Sequence, residues 1–439
     1  MSSCAGDDDS CSSDDESYCR EEPPELDINI GKLKAIATAT LHATCTSAKR
    51  IARGAFHEIY ILRFRKTDKT PFESLVRAGY SCIARFTRTK TEGTAKGKSA
   101  IATIRYIKQN TTIPVPEIYS EHLDPDHEVG AALVLMERLP GKHLYRTWYD
   151  MSLERKKHVL SQVASVIIQL SSLKFDKIGS LHEGGLGPAV KPSSHSPQGP
   201  FDSTHDYLQS FISPDATKLP KLAEQYAKVR TELANFMARN PSAPYLSPPF
   251  TLIHGDFDAQ NMLFLDSPDG SGSTLTGLID FEYSYVGPIY FLYEYPIFIQ
   301  DVDFSKELYA ENAILRAHFV SEIFSQLRDS EARGMFIACM NAKCHFLNDF
   351  ENYFMRMEEP DRFRINSAIN FLKELKDGTG LAYCGRQDFQ DEFYTEDGKP
   401  MVPKAEETTA EIAKEVPVTG KPEETNTEIV KELPVVLVE

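Results

Sequence analysis

The stretch Leu252 to Asp280, reading LIHGDFDAQNMLFLDSPDGSGSTLTGLID, constrains this chain more than any other. Asp256 and Asn261 follow one another in D-x-x-x-x-N spacing, in a short loop after the apolar Leu252-Ile253. Two apolar runs, Met262 to Leu265 and Leu275 to Ile279, flank DSPDGSGS, whose Gly, Pro, Ser and Asp content marks a turn. The expectation is a hairpin, which returns Asn261 and Asp280 to one place. Carboxylate and carboxamide oxygens are hard ligands. They suit Mg²⁺, which takes one or two protein groups and completes its shell with phosphate oxygens and water. The stretch therefore reads as a metal and phosphate constellation.

The rest of the chain can support such a site. Its 439 residues allow two or three domains, and 41% hydrophobic with 26% charged residues is ordinary globular composition. The net charge of −16 is concentrated at the ends. Residues 1–27 carry ten acidic side chains against Arg20, and residues 397–439 carry ten against five lysines, so the middle is nearly neutral. Both ends read as disordered acidic tails. The second holds a repeat of period 17, KAEETTAEIAKEVPV and KPEETNTEIVKELPV, too few copies for a solenoid. A protein partner, if there is one, is expected to bind through the tails. No basic stripe argues for nucleic acid, no run is long enough to span a bilayer, and the acidic start lacks the apolar core of a secretory signal. The expectation is a cytoplasmic protein with eight reduced cysteines.

Between the tails the pattern changes once. IARGAFHEIYILRF and SLVRAGYSCIARFTR alternate as antiparallel strands, with Gly54 in a tight turn. SAIATIRYIKQ is helical, Thr111 to Pro116 ends that helix, and Ala131 to Met136 is a buried strand closing at Pro140-Gly141. Beyond it long helices dominate, at 153–173 with Ser152 as N-cap, 219–239, 305–328, 331–356 and 364–377. Residues 28–138 are thus expected to form one lobe and 139–396 a second.

HGDF-x-x-x-N-x-L followed by GLIDFE and a Gly-Pro resembles the aminoglycoside phosphotransferase and choline kinase-like family. RIARGAFHEIYIL, TTIPVPEIY and VLMERLPG extend the resemblance over residues 45 to 355. It implies an α+β, two-lobed protein-kinase-like fold, a small antiparallel β lobe plus a larger, mainly helical lobe. It also implies ATP and Mg²⁺ as cofactors and the hydroxyl of a small molecule as acceptor. Carried over, Asp256 is the catalytic base, and Asn261 and Asp280 are metal ligands. Arg85 is the cation on the α and β phosphates, Gly54 lies in the nucleotide-covering turn, and the backbone at Glu137 and Leu139 faces adenine. His254 is expected to bond backbone near Asp280.

One departure matters. The glutamate that the family carries on its first-lobe helix, paired with the basic residue, is Ala100 here, and Glu92 is the nearest substitute in sequence. Kinase chemistry generally needs that pair. The alternative is therefore a catalytically impaired nucleotide-binding or interaction module. A kinase acting on protein side chains fits less well, because Asp280 is followed by Phe281-Glu282 and no activation segment is recognisable. Glu282 and Glu294 are open to two readings, attracting a cationic substrate or serving the structure.

Overall fold

The computed structural model describes residues 25–374 except 55, 89–92, 191–198, 213–222, 269–271, 301–304, 341, 351–353 and 355–361. Apart from 25–27, the two acidic ends lie outside the described residues.

The smaller lobe is a five-stranded antiparallel sheet. In chain order it runs α1 (Ile30–Leu41), β1 (Cys45–Arg53), β2 (His57–Phe64), α2 (Glu73–Arg77), β3 (Ser81–Thr87), α3 (Gly93–Asn110), β4 (Ile118–His122) and β5 (Leu133–Glu137). The sheet order is β1-β2-β3-β5-β4. The register pairs Ile59 with Arg85 and Arg85 with Val134, which puts these three side chains on one face. Alternate residues of β2 and β3, including Tyr60, Leu62, Cys82 and Phe86, pack on the other face against Leu33, Ala37 and Leu41 of α1. Asn29 caps α1 by accepting from Lys32 N.

Two local expectations are corrected. Ser74 to Arg77 is helical, not extended, with Glu73 at the start and Arg77 at the end of the turn, as the helix dipole favours. The first strand starts at Cys45 rather than Ile51, because its outer face is solvent-exposed and hides the apolar alternation.

The larger lobe is built on α4 (Leu153–Ser172), capped by Ser152 as its sequence suggests, with Val159, Leu160, Val163, Ile167 and Leu170 buried. Ahead of it lies β6 (Lys142–His143), and after it come β7 (Ser180–His182), β8 (Gly185–Gly187), α5 (Thr204–Phe211), α6 (Ala223–Arg239) and β9 (Thr251–Ile253). The hairpin β10 (Met262–Asp266) and β11 (Ser273–Leu278) precedes β12 (Tyr285–Gly287) and the helices α7 (Lys306–Gln326), α8 (Ser330–Cys339), α9 (Ala342–Asp349) and α10 (Arg362–Glu374). The helix expected over 331–356 is interrupted after Cys339. The fold is α+β and protein-kinase-like, a small antiparallel sheet lobe beside a helical lobe. Among the described residues no helix is long and apolar enough to cross a membrane.

Three contacts tie the hairpin to the rest of the chain, two at the connection between the lobes and one at the segment between α3 and β4. Gly141, at φ +112°, lets the chain pass Phe264 O where a Cβ would stand 2.7 Å away. Thr276 Oγ1 donates to Pro140 O (2.5 Å), and Leu278 N donates to Pro114 O (2.8 Å).

Candidate active site

β9 pairs with β12, with Ile253 opposite Tyr285, so the loop that follows β9 and the loop that precedes β12 meet. Gly255 stands at φ +80°, and a Cβ there would lie 2.1 Å from Tyr283 O. Only glycine permits this approach. Beside it His254 is buried and bonded on three sides. Its Nε2 donates to Ile279 O (3.0 Å), its Nδ1 accepts from Asp256 N (3.3 Å), and its carbonyl accepts from Ser284 Oγ (2.9 Å). The ring packs on Phe281, centroids 4.7 Å apart. Burial holds its pKa below the usual histidine value, although Asp256 and Asp280 oppose the shift. His254 is a brace between the loop and the end of β11.

Asp258 caps the single turn Ala259–Asn261, its Oδ1 accepting from Ala259 N (2.7 Å). That turn aims Asn261 back at Asp256. Asn261 Nδ2 donates to Asp256 Oδ2 (2.7 Å) and to Asp256 O (2.9 Å), while Gln260 Nε2 reaches the same Oδ2 at 3.3 Å. The hairpin closes as expected, Met262 opposite Leu278, and Ile279 N donates to Asn261 O (3.0 Å). Asp280 follows in the left-handed region at φ +64°, a conformation that a non-glycine residue adopts only when its surroundings impose it. Asp256, Asn261 and Asp280 are thus gathered at the open end of one hairpin.

A second charged group reaches them from the small lobe. Arg85 Nη2 lies 2.9 Å from Asp280 Oδ1 and 3.0 Å from Glu282 Oε1. It also donates to His57 Nδ1 at 3.2 Å. An arginine has only donors, so the His57 proton sits on Nε2, which lies 2.8 Å from Glu282 Oε1. Burial raises the Glu282 pKa, but Arg85 and then His57 outweigh it and hold the carboxyl down at about 2. Burial, with the Arg85 charge adding to it, lowers His57. Arg85 itself is raised: burial works against its charge, and Glu282 and Asp280 overcome it.

The other anticipated residues are placed as follows. Gly54 N donates to His57 O (2.7 Å), closing the turn between β1 and β2, and its carbonyl accepts from Arg88. Glu137 ends β5 opposite Cys82. Its carboxylate accepts from Glu117 N (3.1 Å) and its amide donates to Glu117 O (2.8 Å). Leu139 covers Gly277, its Cδ1 standing 2.7 Å from where a Cβ would be. Glu92 lies outside the described residues. Ala100 is buried in the core of the large lobe. Glu294 is engaged by His345 Nδ1 (2.9 Å) and by Asn348. His57, and Glu282 as the partner of Arg85, were not read from the sequence. The one available signal was the position of Glu282 two residues beyond Asp280.

The sequence profile of the phosphotransferase enzyme family matches residues 36–291, over half of the chain and spanning all of these groups from Arg85 to Glu282. The chain belongs to that family. Among curated relatives of this family member, a subtelomeric hrmA-associated cluster protein of Aspergillus fumigatus is 27% identical over 140 residues, 31% of this chain and 25% of the relative. Clavilactone A biosynthesis cluster protein Y of Ampulloclitocybe clavipes is 25% identical over 243 residues, 50% of this chain and 57% of the relative. The alignment with the first of these spans about a quarter of that protein's length. Similar solved structures include the GDP and kanamycin complex of an aminoglycoside phosphotransferase, with 15% identity and a TM-score of 0.42 over 78% of this chain and 97% of that one. Another is aminoglycoside phosphotransferase APH(4)-Ia, with 13% identity and a TM-score of 0.42 over 79% and 97%.

Proposed function

We propose that this phosphotransferase-family chain is an ATP- and Mg²⁺-dependent kinase acting on the hydroxyl of a small molecule, with Asp256 as catalytic base. The observation that supports it is the gathering of Asp256, Asn261 and Asp280 at one end of the β10–β11 hairpin. Both side-chain bonds to Asp256 fall on Oδ2, which leaves Oδ1 for the proton of an acceptor hydroxyl. The amide nitrogen of Asn261 is committed to Asp256, so its amide oxygen is turned the other way and suits a cation. Among the described residues no three or more His, Cys, Asp or Glu gather as a metal site. A sparse set of Asn261 and Asp280 is what Mg²⁺ accepts when phosphates complete its shell. When bound, the ion would neutralise charge on the transferring phosphate. Arg85 supplies positive charge for the α and β phosphates, the Gly54 turn covers them, and the backbone at Glu137 and Leu139 faces adenine.

One specific feature favours a second reading, an impaired nucleotide-binding module: Ala100 removes the helix carboxylate. Melting-temperature titrations separate the readings. The kinase reading expects Mg²⁺ with ATP to raise the melting temperature more than ATP alone, because a ligand at a hundred times its Kd adds about 2.7 kcal/mol. It expects Asp280→Asn to lose the Mg²⁺-dependent part. A shift without phosphate transfer to any of a panel of small alcohols and amino sugars favours the module, and no shift at all contradicts both.

A further inference from the structure

We propose that Glu282 is the positioning residue for Arg85, supplying from the large lobe the carboxylate that α3 lacks at Ala100, with His57 bracing the pair. The inference rests on the ATP-dependent reading above.

Three observations lead to it. The first is the position of Ala100, which is 3% exposed and packed with Ile104 and Ile107 in the large core, where a carboxylate would be stripped of water. The second is that Arg85 touches two carboxylates of unequal kind. Asp280 has a side chain 37% exposed and is the expected cation ligand, so its oxygens are claimed once nucleotide and ion arrive. Glu282 is recessed, 10% exposed, and remains for Arg85. The third is His57, which joins both partners, accepting from Arg85 Nη2 at 3.2 Å with its Nε2 2.8 Å from Glu282 Oε1. His57 also ends the Gly54 turn, since Gly54 N donates to its carbonyl. The covering turn, the phosphate-directed cation and the segment after Asp280 are therefore held by one carboxylate. Helix α3 contributes the opposite charge from the one expected of it: Lys96, one turn before Ala100, lies over the Tyr283 ring at 5.7 Å and acts on Glu282 as a cation.

The test is a double-mutant cycle on the full chain, with affinities for Mg·ATP and for adenosine measured by titration calorimetry in wild type, Arg85→Gln, Glu282→Gln and the double variant. Glu282→Gln is expected to weaken Mg·ATP about tenfold and to change adenosine less than about twofold. In the Arg85→Gln background the same change is expected to alter Mg·ATP less than about twofold, because Glu282 acts through Arg85. Equal losses for Mg·ATP and adenosine would mean a merely structural role and overturn the proposal. A full tenfold loss persisting without Arg85 would mean that Glu282 acts independently, as a cation ligand does, and would also overturn it. Wild type binding neither ligand would instead overturn the nucleotide reading on which the proposal stands. Should Glu282→Gln fail to fold, His57 carries the test. His57→Ala should weaken Mg·ATP and spare adenosine, and His57→Gln, which can both accept and donate, should restore most of the affinity. Equal Mg·ATP affinities in those two variants would count against the brace.

Discussion

Gly255 sits where no side chain fits. Its φ of +80° and the 2.1 Å that a Cβ would leave to Tyr283 O act together, and the second involves backbone that cannot swing aside. Gly255→Ala is therefore predicted to cost at least about 2 kcal/mol of stability, measured by urea unfolding, and a loss below about 0.5 kcal/mol would contradict the geometry. At this scale the sequence was readable where chemistry is local. Asp256, Asn261 and Asp280 fall within one stretch, and the turn composition of DSPDGSGS announces that the ends of the hairpin meet. The partner of Arg85 was not readable in the same way. Arg85 and Asp280 are 195 residues apart, and nothing in an isolated strand segment such as CIARF says which carboxylate will lie opposite it. Glu92 was the natural candidate by proximity in sequence. Glu282 meets Arg85 because the segment between β11 and β12 lies against β3.

Among the elements, α4 does more than fill the core. The side-chain amide of Gln162 completes the edge of β11 as a neighbouring strand would: its Nε2 donates to Ser273 O (2.8 Å) and its Oε1 accepts from Leu275 N (2.8 Å). Arg155 adds bonds to Asp266 Oδ1 (2.6 Å) and Ser273 Oγ (2.8 Å). The hairpin that carries Asn261 and Asp280 is thus fastened to the central helix through side chains. Gln162→Leu leaves two partly buried backbone groups of β11 without those bonds. The predicted cost is about 1–3 kcal/mol in thermal or urea unfolding, and an unchanged midpoint would show that the hairpin does not depend on the helix. The helix itself was legible, because its apolar stripe and Ser152 are strong local signals. α1 was not, although Leu33, Ala37 and Leu41 recur at helical spacing after Asn29. Its short, Ala- and Thr-rich stripe is weaker than that of α4, and it becomes decisive only when packed on the sheet. The interruption after Cys339 was hidden for a related reason, since apolar residues continue through it.

For the whole molecule, the described residues form two hydrophobic cores. The small core lies between α1 and the sheet, while Ala100, Ile104 and Ile107 of α3 belong to the large one. Helix α3, although part of the smaller lobe, thereby packs its apolar face into the larger core. Charged contacts cross between the lobes, with Arg85 and His57 on one side and Asp280 and Glu282 on the other, and among them Arg85 is the group to which the proposed function assigns the nucleotide phosphates. On the proposed reading, the carboxylate that positions Arg85 comes from the segment after Asp280 and not from α3. The most direct measurement is phosphate transfer from labelled ATP to a panel of small hydroxyl compounds, comparing wild type with Asp256→Asn at saturating Mg²⁺. The account predicts transfer by wild type, a loss of about a hundredfold to ten-thousandfold in the variant, and Mg·ATP affinity unchanged within about twofold. Transfer by Asp256→Asn at the wild-type rate would contradict it.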